Sequence, residues 1–407
     1  MKILAYNSSH ETSLAQYDTE TRKVDFCFEE ERFRRNKYWT PRGENLELQC
    51  VHHRHDIINP EDGRFVACSY DRRKWEWYPF AQPFVNDRAL QRRFVKDIAE
   101  KQMTWERNEE IIEKYKDYGL EYPNGSDDNK DNKEDFVAGV LGQSDDDHIH
   151  MAVAEQLGYK GFHYEFEHHL YHAECGYYHA PYRDEESAIA VVWDGGGANR
   201  LFDIAPNYQE VESIYRIDPY TSPKLQWQRL SNFRRIHDLH AHCCGAEQDT
   251  MMFAEDEIID DNGAEVVLSC YPSVGMNFSN LSHALGFDKL GRAAGKVMGA
   301  ASYCPWREYK NGLHVVNMNS ICNLLELQSL EYSISVIQNA VDRNPDCKNI
   351  ILSGGYALNC TNNNHYLSAF PDHNIFIDPI PHDGGTAIGG AIHYSRLIEK
   401  ENSNENS

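Results

Sequence analysis

The chain has no run of the roughly 18 apolar residues that a membrane-crossing helix needs. Its eleven cysteines are irregularly spaced and contain no CxxC pair. That pattern argues against a structural zinc module, and the odd number argues against a disulfide framework, so reduced thiols are expected. Basic residues are in short supply: 40 Lys and Arg against 64 Asp and Glu leave a formal charge of -24. Such a balance opposes non-specific attraction to nucleic acid or anionic membranes unless the basic residues are clustered. The opening MKILAYNSSH holds one lysine and a short apolar run, and reads as a first β-strand rather than a secretory signal. A soluble cytoplasmic protein with no membrane partner is expected. Disorder throughout is excluded by a hydrophobic content of 41%, and 407 residues allow two or three domains or one duplicated α/β unit.

Chemistry-bearing residues concentrate in Glu167 to Gly197, EHHLYHAECGYYHAPYRDEESAIAVVWDGGG. His168 and His172 are four residues apart, so on a helix they project from one face and can reach one cation. Asp194 ends an apolar run, where its carboxylate could meet them, and Gly195, Gly196 and Gly197 follow. Backbone without side chains at a strand end lets amide N–H groups approach a phosphate. The plainer alternatives are an HxxxH with no ligand and an Asp-Gly-Gly that only turns the chain.

Met1 to Tyr6 and Lys23 to Phe28 read as two strands around a polar turn, with His10 and Glu11 just past the first strand end. EEERFRRNKYW (29–39) reads equally as a salt-bridged surface helix and as a cationic grip on an anion. Residues 71–107 are basic and aromatic, whereas 108–147 are acidic, lack apolar periodicity and read as an exposed loop. A calcium loop in DDNKDNKED would lack its central glycine and closing glutamate. A helix is expected over Asp147 to Leu157, a strand in NRLFDIA after Gly197, and an irregular region over about 206–275. That region contains KLQWQRLSNFRR and then His237, His240, His242, Cys243 and Cys244, whose spacing matches no zinc pattern. NLSHALGFDKLGRAAGKVMGAASY has the composition of tightly packed helices at a cleft. The last hundred residues are the most regular: a long helix, the strand KNIILSGG, a helix from YALNC, then NIFIDPIPHDGG and a small-residue helix. The Gly-rich turns at 194, 353 and 383 echo one another, and each can seat a phosphate where a helix follows.

In their order along the chain, MKILAYNSSHETS, EEERFRRNK, HHLYHA, VVWDGGG, GRAAGKVMGAASY, LSGGYALNC and PHDGGTAIGGA resemble the O-carbamoyltransferase family that decorates nodulation factors, cephamycin and tobramycin. The resemblance implies a duplicated α/β fold of the actin, sugar kinase and Hsp70 kind with two irregular insertions. The first half would span 1–205 with an insertion over about 45–147, and the second 206–398 with an irregular segment over about 206–275. A disordered tail would occupy 399–407. It also implies that His168, His172, Asp194 and Asp383 bind one divalent metal, with Fe2+ the first expectation. Lys37 would meet carbamoyl or phosphate oxygens, Gly195, Gly196, Gly354, Gly355 and Asn359 would cradle the adenylate, and His10 would act as the base. Glu11 stands where the family usually has aspartate, so no role is carried over to it.

The activity this implies is transfer of a carbamoyl group from carbamoyl-adenylate, made from carbamoyl phosphate and ATP, to an acceptor hydroxyl. The family continues into a donor-forming domain that the chain does not include, so a separate subunit is expected to supply it; an oligomer is compatible with this. Competing expectations are an ATP-dependent phosphotransferase on the same fold and a binding module without activity. For the acceptor, two locally basic, aromatic groups matter: Arg72, Arg73, Lys74, Trp75, Trp77 and Tyr78, and then Lys224, Trp227, Arg229, Phe233, Arg234 and Arg235. If exposed, they suit a hydroxymethylated pyrimidine in DNA or as a nucleotide. If they are core side chains and internal ion pairs, a small sugar-like or antibiotic-like acceptor stands instead.

Overall fold

A computed structural model describes residues 1–9, 11–35, 48–54, 60, 63–68, 102–103, 114, 145–160, 162–164, 167–198, 208–231, 256–269, 271–287, 293–303 and 318–405. The chain divides into two compact units, one of Met1–Tyr171, Ala198–Asn207 and Asp383–Ser407, the other of His172–Gly197 and Tyr208–His382.

The first unit opens with strands β1 (Lys2–Asn7), β2 (Ser13–Asp18) and β3 (Lys23–Glu29) in an antiparallel meander. Two short helices follow, α1 (Glu30–Arg34) and α2 (Gln49–Arg54), then β4 (Gly63–Ala67), β5 (Gln102–Met103), α3 (Asp145–Gln156) and β6 (Phe162–Tyr164). β4 lies parallel to β1 and β6 parallel to β4, giving the order β3-β2-β1-β4-β6-β5. The strand β2 corrects the sequence reading, which expected a polar turn between two strands. Its polar residues are buried and partnered: Gln16 Nε2 donates to Asp25 (2.9 Å) and Lys2 Nζ to Asp18 (2.8 Å). Such pairing hides a strand from hydropathy. In α1, Glu30 is buried and accepts the backbone N–H groups of Gln49 and Cys50, so this segment is more than a surface helix.

Helix α4 (His168–His179) leads to the second unit's strands β7 (Ala188–Trp193), β8 (Gln209–Ile217), β9 (Lys224–Ser231), β10 (Glu257–Asp261) and β11 (Ala264–Ser269). Helices α5 (Val274–Ala284), α6 (Ala294–Ala301) and α7 (Met318–Arg343) follow, then β12 (Asn349–Ser353), α8 (Cys360–Ala369) and β13 (Asn374–Ile377). The sheet order is β10-β11-β9-β8-β7-β12-β13. Again the first three strands form an antiparallel meander, and β12 and β13 continue in parallel from β7. Both sheets therefore share a five-strand arrangement, β3-β2-β1-β4-β6 in the first and β9-β8-β7-β12-β13 in the second, with β5 added at an edge of the first and β11 and β10 at an edge of the second, which is the duplicated α/β fold expected.

Within the second unit the stretch 206–275, expected to be irregular, supplies β8 to β11. Buried Glu210, Glu212, Ser213 and Gln228 interrupt the apolar pattern, and they are partnered across the sheet: Gln228 Nε2 donates to Glu210 and to Ser213, each at 3.0 Å, and Glu212 pairs with Arg229. The core packs Trp193, Phe278, Ile337, Ile350, Tyr356 and Tyr366 together. The chain ends in α9 (Thr386–Glu405), which packs on β1 and β2 of the first unit and extends through most of the tail expected to be disordered. Gly389 lets α9 run close to the helix that carries Tyr171, because a Cβ there would sit 1.8 Å from the Tyr171 carbonyl oxygen.

Candidate metal centre

Helix α4 begins at His168 and buries His168 and His172 completely. At about 100° per residue, His168, His172, Cys175 and His179 share an arc of about 60° on this helix. They form a stripe of metal-type side chains.

In the first unit, His168 Nε2 lies 3.5 Å from Asp383 Oδ1. The Asp383–Gly385 turn is held mainly by side chains. Asn7 Nδ2 donates to the Asp383 carbonyl (2.8 Å), as does Thr386 Oγ1 (2.6 Å), and the Asp383 N–H donates to Glu11 Oε2 (3.1 Å). Glu11, left without a role by the sequence, thus helps position a candidate ligand. Asn7 was missed altogether, since a polar residue closing an apolar strand carries no distinctive signal. Next to it, His150 Nε2 is 3.1 Å from Ser8 Oγ.

In the second unit, β7 is buried along its whole length and carries Asp194 at its end. Asp194 and His172 offer ligand atoms within 4.8 Å of each other. Here close backbone packing joins hydrogen bonds of both kinds in fixing the turn. The Asp194 N–H donates to Val211 O, Gly195 N to Asp194 Oδ1 (2.7 Å), and Ser273 Oγ to Gly195 O (3.1 Å). Gly354 has φ +85° and packs so tightly on β7 that a Cβ would lie 2.1 Å from Trp193 O; only glycine fits. A Cβ on Gly355 would be 3.4 Å from Asp194 Oδ1. Gly195, Gly196, Gly354 and Gly355 therefore lie on two adjoining turns.

Asn359 is buried and engaged. Its side-chain oxygen caps α8 by accepting the Asn362 N–H (3.2 Å), and its Nδ2 donates to Glu326 Oε1 (2.7 Å). Burial pushes the Glu326 carboxyl above its ordinary pKa, against the lowering effect of that bond.

Trp227 and Arg229 correct the reading of an exposed basic, aromatic surface. Trp227 belongs to the second unit's core. Arg229, 7% exposed, pairs through Nε and one NH2 with Glu212, its register partner on β8, and donates to the Tyr271 and Pro272 carbonyls. Its donors are occupied inside the unit. Lys224 is exposed. His10, Lys37, Arg72, Arg73, Lys74, Trp75, Trp77, Tyr78, Phe233, Arg234, Arg235 and the cluster from His237 to Cys244 lie outside the described residues, as do 199–207. Among the described residues no helix is long and apolar enough to cross a membrane.

Two α/β units thus share one strand arrangement, and in each a histidine lies near an aspartate beside a glycine turn. The chain matches the carbamoyltransferase N-terminus family over residues 2–312 and 314–392, and it belongs to that family. Curated protein sequences give no match. Among solved structures the chain is similar to full-length HypF in its phosphate- and nucleotide-bound form, at 16% identity over 57% of this chain and 42% of that one, TM-score 0.35. It is also similar to T. kodakarensis HypF, at 15% identity over 63% and 39% of the two chains, TM-score 0.37. A ROK family protein from Streptococcus pneumoniae TIGR4 in complex with sucrose aligns at 12% identity over 99% and 100%, TM-score 0.42. The chain spans less than half the length of the two HypF chains.

Proposed function

We propose that the chain is the transferase portion of an O-carbamoyltransferase that moves a carbamoyl group from carbamoyl-adenylate to an acceptor hydroxyl. The observation that carries this reading, beside the family match, is the burial of two histidines on one helix face, each near an aspartate at a glycine turn. Two imidazoles and two carboxylates suit a divalent ion of borderline softness, Fe2+ first. His168, His172, Asp194 and Asp383 would hold it. When bound, such an ion supplies Lewis-acid polarisation of an oxygen at the reacting centre.

The chain's own residues do the rest. Amide N–H groups of the turns at Gly195, Gly196, Gly354 and Gly355 bind the adenylate phosphate, and Asn359 contributes by capping the helix that follows. Lys37 meets carbamoyl or phosphate oxygens as charge develops there. His10 accepts the proton of the acceptor hydroxyl as its oxygen bonds to the carbamoyl carbon; the carbon–oxygen bond to the phosphate breaks and AMP leaves. A separate subunit makes carbamoyl-adenylate from carbamoyl phosphate and ATP and hands it over in an enclosed complex, because a mixed anhydride is labile in water.

For the acceptor we favour a hydroxymethylated pyrimidine in DNA or as a nucleotide. Support for it now rests on Arg72, Arg73, Lys74, Trp75, Trp77 and Tyr78 together with Phe233, Arg234 and Arg235, since Trp227 and Arg229 are committed to the core. The deciding experiment supplies the chain and its donor-forming partner with carbamoyl phosphate, ATP and hydroxymethylated DNA. AMP release with carbamoylated base is the expected outcome. ADP release would instead indicate a phosphotransferase, and AMP release only with sugar-like acceptors would overturn the choice of acceptor.

A further inference from the structure

Toward its C-terminal end α4 carries Cys175 and His179, one and two turns beyond His172 on the same stripe. Both face Asp378, the residue immediately after β13. Cys175 Sγ is 3.7 Å from His179 Nδ1 and 3.9 Å from Asp378 Oδ1, and His179 Nδ1 is 3.2 Å from the same Asp378 oxygen. Sulfur, nitrogen and oxygen thus form one triangle, entirely within the second unit.

We propose that Cys175, His179 and Asp378 form a second metal site, distinct from the His168, His172, Asp194 and Asp383 set, that takes a thiophilic divalent cation of the zinc class. Tetrahedral zinc, with bonds of about 2.3 Å to sulfur and about 2.0–2.1 Å to nitrogen and oxygen, places neighbouring ligand atoms about 3.3–3.6 Å apart. The triangle is within a few tenths of an ångström of one face of that tetrahedron. His179 is 20% exposed at its side chain, whereas Cys175 and Asp378 are buried, which leaves the fourth position to water from the histidine side.

Asp378 is prepared as a ligand. Ser353 Oγ donates to its Oδ2 (2.8 Å), and the Ile380 N–H donates to its Oδ1 (3.0 Å). Outer-shell bonds of this kind orient ligating carboxylates. Gly176 clears the ground between helix and sheet: a Cβ there would lie 2.6 Å from Ile351 Cγ2 and 3.7 Å from Asp378 Oδ2. Without a side chain at 176, α4 lies close enough to β12 for Cys175 and His179 to reach the carboxylate.

A thiol nucleophile activated by a histidine–aspartate pair does not fit the same atoms. Such a relay needs cysteine and aspartate on opposite ring nitrogens, and here both approach Nδ1. Burial of Cys175 also keeps its sulfur from a substrate. The site acts as a clamp instead. It ties the far end of the helix that carries His168 and His172 to the end of β13, and so fixes the orientation of those histidines.

The test uses the full chain, stripped of metal and then loaded with Zn2+ or Co2+ alone. X-ray absorption at the zinc edge of the wild-type protein is expected to show a sulfur neighbour together with nitrogen and oxygen, and the cobalt form a thiolate-to-cobalt charge-transfer band. Histidine and aspartate ligands alone give neither signal. His179→Ala and Asp378→Asn are each expected to weaken the sulfur-ligated metal by about 10-fold or more, and Ser353→Ala by about 10-fold through the carboxylate it orients. Coordination by nitrogen and oxygen alone in the wild type would overturn the proposal even if every variant failed to fold. So would a charge-transfer band unchanged in Cys175→Ala, His179→Ala and Asp378→Asn, because the sulfur would then belong to another cysteine such as the exposed Cys360.

Discussion

The turns that carry Asp383 and Asp194 look alike in sequence, Asp-Gly-Gly in each case, but the molecule holds them by different means. In the first unit Asn7, Glu11 and Thr386 reach the backbone of Asp383 with side chains. In the second, the Asp194 turn is wedged by backbone, with Gly354 pressed on Trp193 and Gly275 on the Gly195 amide, where a Cβ would come within 3.3 Å. Behind that wedge Glu212 accepts the Val274 N–H (3.4 Å) and pairs with Arg229. A side-chain-held turn can be loosened one bond at a time, whereas a wedged turn fails as a unit.

Substitutions should separate the two. The largest effect is expected from Arg229→Met, which strands the fully buried Glu212 carboxylate and should cost about 3–5 kcal/mol in urea unfolding. A near-neutral result would return Arg229 to the surface role read from the sequence. Gly354→Ala follows, at about 3 kcal/mol, from the collision with Trp193 O and the positive φ. It should remove adenylate binding together with stability. Asn7→Ala, by contrast, should cost only about 1 kcal/mol, because Thr386 still donates to the Asp383 carbonyl. Its mark would be a weakened metal with the sheet intact, visible as lost metal content at unchanged circular dichroism. Equal losses of stability in Gly354→Ala and Asn7→Ala would erase the distinction between the turns.

The smallest effect concerns Glu326, beneath the Asn359 cap. Its folded-state pKa is raised by burial, so the stability it contributes is fully present below the ordinary carboxylate range and is lost as pH rises through the raised value. Glu326→Gln should flatten that decline, being relatively more stable than wild type at neutral pH than in acid. An unchanged pH profile of unfolding would contradict the assignment.

Legibility in the sequence followed physical simplicity. Strands β7 and β12 are buried along their whole length, carry apolar runs and lead into glycine turns, so they and their turns could be read directly, as could the helix bearing HxxxH. Strands β2, β8 and β9 could not, because their buried polar residues satisfy one another across strands, a pairing that hydropathy does not record. The exposed surface inferred from Trp227 and Arg229 failed for the same reason, since the partner Glu212 lies 17 residues away on the neighbouring strand. Cys175 and His179 extend the ligand stripe at helical spacing, but Asp378 is 203 residues beyond Cys175 and meets it only through the packing of α4 on the sheet.

The central claim, a metal-dependent carbamoyl transfer, is tested most directly by measuring bound iron and AMP release on one preparation of wild type and of His172→Ala. Each protein would be supplied with the donor-forming partner, carbamoyl phosphate, ATP and a hydroxymethylated acceptor. The account predicts that the substitution abolishes metal and turnover together while the fold persists. Full turnover by protein carrying no metal would contradict it.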